Sequence, residues 1–102
     1  MMSKDASILD LIARLDLPRR GWVVVDHWDA DCMAIGIAMP ANPRRLVYVS
    51  TYDEEPNRYY YECEIPAGVA RDEYVTAERG QSVDFEELER VIERHLEPAV
   101  VE

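Results

Sequence analysis

Trp22-Val-Val-Val-Asp-His-Trp28, Cys32-Met-Ala-Ile-Gly-Ile-Ala-Met39, Arg45-Leu-Val-Tyr-Val-Ser-Thr-Tyr52 and Arg58-Tyr-Tyr-Tyr-Glu-Cys-Glu-Ile65 are four runs rich in Val, Ile and Tyr. Such side chains fit a pleated, half-buried surface, so each run reads as a strand. The connections are Asp29-Ala-Asp31, Pro40-Ala-Asn-Pro43 and Asp53-Glu-Glu-Pro-Asn57. They are short and carry turn residues, which predicts antiparallel hairpins and a meander. In the second run Met33, Ile35, Ile37 and Met39 share one face, and Cys32, Ala34, Gly36 and Ala38 share the other. The small face leaves room for something bulky, either a helix or the aromatics Trp22, Trp28 and Tyr48. Gly36 in mid-strand marks a close approach or a bulge.

Working outward, Ile8, Leu9, Leu11, Ile12 and Leu15 recur at helical spacing. Asp5 or Ser3 can cap this helix, and Pro18 is expected to stop it. Beyond the meander, Glu73–Glu78 reads as a fifth, marginal strand ended by Arg79-Gly80. Asp84 and Glu87 then form a capping-box pattern, with Val83 and Leu88 as its hydrophobic staple. Phe85, Leu88, Val91, Ile92 and Leu96 make the inward stripe of the last helix, Glu86 and Arg90 an i,i+4 pair, and Pro98 its end. The expectation is one α+β domain over 1–102. It has an N-terminal helix, a four- to five-stranded antiparallel meander sheet and a C-terminal helix, with both helices packed on one sheet face. At 102 residues, with 48% hydrophobic composition, the chain can bury a core without a metal or disulfide.

The formal net charge is −10. By region it is +1 over residues 1–21, −5 over 22–65 and −6 over 66–102, so the acid lies on the folded body. Such a field repels phosphate backbones and draws basic partners, which argues against direct nucleic-acid binding. No apolar run approaches the roughly 20 residues of a membrane span, and the start of the chain has no apolar targeting core. A cytoplasmic protein without membrane contact is expected. Cys32 and Cys63 alternate within apolar strands and read as two buried thiols, whether or not they are neighbours across the sheet.

The chemistry-bearing residues do not assemble a catalytic set. His27, Cys32 and Cys63 stand among apolar and acidic residues, which push a thiol pKa upward and weaken a nucleophile. Asp29 and Asp31 share a turn, but the further oxygen ligands and the glycine of a calcium loop are missing. Neither metal nor cofactor is expected, and His95 reads as a helix-packing or dipole-compensating residue. The reading is therefore a non-enzyme, with a small enzyme centred on His27 or Cys32 as a rival. Tyr59-Tyr60-Tyr61 carries more information. Tyr59 and Tyr61 share a face with Cys63 and Ile65, while Tyr60 stands beside Glu62 and Glu64 on the other. An exposed tyrosine flanked by acids suits a basic partner.

The segments Trp28-Asp-Ala-Asp-Cys-Met-Ala-Ile-Gly-Ile-Ala38, Arg44-Arg-Leu-Val-Tyr-Val-Ser-Thr-Tyr52, Arg58-Tyr-Tyr-Tyr-Glu-Cys-Glu64 and Val83-Asp-Phe-Glu-Glu-Leu88 carry a resemblance. In style and order the pattern resembles small immunity proteins of bacterial contact-dependent growth inhibition and related polymorphic toxin systems. The resemblance implies binding of a cognate toxin domain, often a nuclease with a basic cleft, and its neutralisation by occlusion. It transfers no residue roles, so the contact set rests on the residues themselves: Asp29, Asp31, Asp53, Glu54, Glu55, Tyr60, Glu62 and Glu64. A secretion chaperone, also small and acidic and binding an effector segment, is the alternative. The sequence leaves open whether the chain is a monomer or a dimer, and whether inhibition blocks an active site or an exosite.

Overall fold

A computed structural model describes residues 4–26, 30–69 and 73–97. In chain order its elements are α1 (Ala6–Leu15), α2 (Leu17–Arg20), β1 (Val23–Val25), β2 (Ala34–Met39), β3 (Asn42–Ser50), β4 (Tyr59–Pro66), β5 (Tyr74–Val83) and α3 (Phe85–Leu96). The strands form one antiparallel sheet in the order β1-β2-β3-β4-β5, the meander expected from three short connections extended by the fifth strand. The fold is α+β, with an N-terminal helix, a five-stranded sheet and a C-terminal helix.

α1 starts where Asp5 accepts a hydrogen bond from the Ser7 amide at 3.0 Å, satisfying one of the helix's orphan donors. It buries Ile8, Leu11 and Leu15, but Leu9, expected on the same stripe, is 47% exposed. Pro18 does not stop this helix. α1 ends at Asp16, whose backbone turns left-handed (φ 52°), and Pro18 then opens the short α2. A first helical turn needs no N–H from proline, so the residue fits there at no cost.

Register assigns the sheet's two faces. Ile37 pairs with Val47, Val47 with Cys63, Ile35 with Val49 and Val49 with Tyr61, so all six side chains share one face. That face packs with Ile8, Leu11, Leu15, Leu88, Val91 and Ile92, which places both α1 and α3 on it. α3 contributes Phe85, Leu88, Val91, Ile92 and Leu96 as expected, each worth on the order of 2 kcal/mol when removed from water. Its Asp84 cap receives the Glu87 amide at 2.9 Å. The Glu87 carboxylate takes Arg90 at 2.7 Å instead of the expected Glu86–Arg90 pair, because an i,i+3 spacing also places side chains together. Trp22 joins the helix-side core at 2% exposure and donates its indole N–H to Glu97 Oε2 at 2.7 Å. Among the described residues, then, neither Trp22 nor a helix is placed on the small face of β2, although Ala34, Gly36 and Ala38 are buried. Tyr48 lies opposite Gly36 there.

Several boundaries shift. β1 is three residues long, and His27, Trp28 and Asp29 lie outside the described residues. β2 begins at Ala34, leaving Cys32 exposed in a turn while Cys63 is buried on β4, two strands away. The two are not neighbours across the sheet, and Cys32 is not a core thiol. The second turn contracts to Pro40-Ala41, because β3 already starts at Asn42. Pro43 is tolerated in that strand beside the register shift between Ala38 and Met39, where ladder bonds are interrupted. The fifth strand is not marginal, and Arg79-Gly80 does not end it. It runs ten residues to Val83. Gly80 sits under the Tyr61 ring, where a Cβ would come within 2.3 Å of Cε2. The glycine thus serves a close approach inside the strand.

Candidate functional site

The face away from the helices carries the residues that β2, β3 and β4 place by alternation. Ser50 pairs with Tyr60 and Tyr48 with Glu62, so these four form a contiguous patch. Tyr48 and Tyr60 meet edge to face, with ring centroids 6.3 Å apart and planes at 78°. Tyr60 donates its hydroxyl to Glu62 Oε2. A proton shared with a carboxylate is hard to remove, and together with partial burial this pushes the Tyr60 phenol up to about 12. Burial raises the Tyr48 phenol as well, and the charges of Asp31 and Glu62 add to the shift. Asp31 thus acts on this patch although it lies in the turn before β2, where Oδ1 accepts the Met33 amide at 3.0 Å.

Antiparallel order brings the start of β2, the end of β3 and the start of β4 to one end of the sheet. The loop over 51–58 projects from that end. Within it Asp53 and Asn57 adopt left-handed backbone (φ 56° and 65°). Asp53 and Glu54 line a shallow cleft of about 330 Å³ with Tyr48, Ser50, Tyr52, Tyr60 and Gln81. Glu54 also accepts the Ser82 hydroxyl at 2.9 Å, which ties the loop to the end of β5.

The expected contact set is thereby divided. Asp53, Glu54 and Tyr60 come together at one cleft, with Glu62 hydrogen-bonded to Tyr60 and Asp31 within electrostatic reach. Glu55 lines a separate cleft on the α1 side. Asp29 lies outside the described residues. Glu64 shares the outer face but is only 6% exposed, its carboxylate held by the Thr76 hydroxyl at 2.6 and 2.9 Å. Burial raises its pKa against the pull of Thr76. Long-range packing placed this carboxylate beneath the surface, where it cannot serve as an open contact. Tyr52 (71% exposed), Tyr48, Ser50 and Gln81 were absent from the set. The 46-48-50-52 alternation of the run Arg45–Tyr52 held the signal for the first three. Gln81 was hidden by the expectation that β5 ends at Gly80.

Cys63, Glu78 and His95 are built into the scaffold. Burial, with the charge of Glu78 second, pushes the Cys63 thiol up to about 12, far from a thiolate at neutral pH. Glu78 itself accepts Tyr61 at 2.7 Å and Arg94 at 2.7 and 2.9 Å, and the guanidinium holds its carboxyl below the usual range. His95 is buried, with Nε2 3.0 Å from the Glu64 carbonyl, and burial lowers its pKa. It acts as a neutral packing residue and does not compensate a helix dipole by charge. Among the described residues no three His, Cys, Asp or Glu side chains cluster as a metal site would require, and no helix is long and apolar enough to cross a membrane. No protein-family model, curated protein or solved structure matches the chain.

Proposed function

We propose that this chain is an immunity-type inhibitor, binding a basic toxin domain in the cytoplasm and occluding it without catalysis; a nuclease is the expected toxin. The observation that carries the reading is the Tyr48–Tyr60 pair on the outer sheet face, bordered by Asp31, Asp53 and Glu62. Rigid aromatics anchor protein interfaces at low entropic cost, and a surrounding acidic field favours a basic partner. The net charge of −10 speeds the encounter, and desolvation of the tyrosines on docking slows release. Arg79, opposite Glu62 in the register of β4 and β5, bounds the patch with positive charge and orients the partner's cations toward the loop over 51–58.

Co-expression with the toxin domain encoded beside this chain tests the proposal. The wild type is expected to co-purify with it and protect cells. Tyr60→Ala is expected to weaken binding by roughly 30-fold, the effect of losing a central anchor worth about 2 kcal/mol. No complex with a folded domain and no protection would overturn the reading. Binding only to an unfolded effector segment would replace it with the secretion-chaperone alternative.

A further inference from the structure

The larger cleft lies on the other side of the 51–58 loop, between that loop and α1, and encloses about 520 Å³. Its apolar lining includes Met33, the exposed Pro56 and the buried ring of Tyr59. Its rim includes Asp10 from α1 and Glu54 and Glu55 from the loop. Two guanidiniums also border it, but both are engaged by the protein. Arg14 stacks over the Phe85 ring at 4.0 Å, and Arg58 donates to the Ser82 carbonyl at 3.4 Å. Asp5 is likewise committed, accepting the Ser7 amide and hydroxyl. By contrast, Asp10 and Glu55 are exposed, and their carboxylates take no hydrogen bond or ion pair from any of the described residues.

We propose that this cleft receives a long cationic side chain, an arginine or lysine of the protein partner, with its aliphatic stem against Met33 and Pro56 and its head at the carboxylates of Asp10 and Glu55. Apolar lining beside the unpaired carboxylates of Asp10 and Glu55 complements a side chain that is itself apolar along its stem and charged at its tip. An aspartate or glutamate of the partner would meet the same rim with repulsion. Glu54 lines both this cleft and the outer-face cleft, so the loop is a ridge between them. On the proposed inhibitor reading, on which the partner's identity rests, a basic domain straddles that ridge. It places one cation in the α1-side cleft while the outer-face tyrosines take its apolar contacts.

The cleft can be tested on the whole chain without any toxin. In amide-resolved NMR titrations, N-acetyl-arginine methylamide is expected to give saturable shifts at Asp10, Met33 and Glu55. The neutral isostere N-acetyl-citrulline methylamide is expected to give none. Asp10→Asn, an exposed change that leaves the core intact, is expected to weaken the arginine probe by roughly fivefold, as loss of one partly solvated charge pair does. Tyr60→Ala is expected to leave probe binding unchanged while it weakens toxin binding, so the two proposals fail separately. Equal shifts from both probes, no saturation, or shifts centred on Tyr48 and Gln81 would each overturn the assignment.

Discussion

The two faces of one sheet use the same alternation for opposite ends. On the helix side, Ile35, Ile37, Val47 and Val49 are fully buried beneath α1 and α3, and Tyr61 and Arg94 there share Glu78. On the outer side, Tyr48 and Tyr60 are half-buried, Tyr52 is open and the carboxylates stand at the rim. The first face spends its residues on stability, whereas the second keeps aromatic area and charge for a partner. Glu64 breaks the pattern, as do Leu46, Ala34 and Ala38. They belong to the outer face by parity and to the interior by burial.

This contrast is broken most strongly at the helix-side core. Leu88→Ala is expected to cost about 3 kcal/mol by denaturant titration, through lost burial plus the cavity left behind. Tyr60→Ala is expected to cost well under half of that, because its surroundings are open to water. An equal loss at the two positions would mean that the outer face is a second core.

Next in size is Gly80→Ala. The new methyl meets the Tyr61 ring, so a loss of about 2 kcal/mol is expected. In the double variant with Tyr61→Ala the clash disappears, and the combined loss should fall short of the sum of the two single losses. Strict additivity would show that the ring does not hold this position.

A smaller effect concerns pH. His95 has a lowered pKa in the folded state, so the unfolded chain binds more protons between the folded value and the ordinary one near 6.5. Its contribution is therefore present above that range and lost as pH falls through it. His95→Gln should flatten the slope of stability against pH below about 6.5, with unfolding followed at several pH values. An unchanged slope would locate acid sensitivity elsewhere.

The smallest expected change in stability belongs to the outer face itself. Glu62→Gln removes the carboxylate that holds the Tyr60 proton, so the phenol, now pushed up to about 12, should titrate closer to 10 by phenolate absorbance. A titration curve identical to wild type would mean that Tyr60 and Glu62 are not paired in solution.

The strand runs were readable because their alternation and turn residues are local, and β4 is the clearest case. Tyr59, Tyr61 and Cys63 face the core, and Tyr60 and Glu62 face away, as parity requires. The helix stripes of Ile8, Leu11 and Leu15 and of Leu88, Val91 and Ile92 were legible for the same reason. Misreadings arose where a distant residue changed a local rule. Gly80 looked like a terminator until Tyr61 occupied its missing side chain's space. Pro18 looked like a stop, yet the left-handed Asp16 had already ended α1. Cys32 looked like strand, but the chain is still turning there, with its carbonyl accepting the Asp5 amide at 2.8 Å.

By itself, then, the sequence determined the meander, the capping helix starts, the acidic field and the outward direction of Tyr60 and Glu62. Each depends on residues within a few positions of one another. Only the tertiary structure decided which acids are available. It sank Glu64 under Thr76, joined Asp53 and Glu54 to the tyrosines and turned Glu55 to a second cleft beside Asp10. Those outcomes depend on pairings across strands and between a helix and a loop, where burial and charge are set by neighbours far away in the chain.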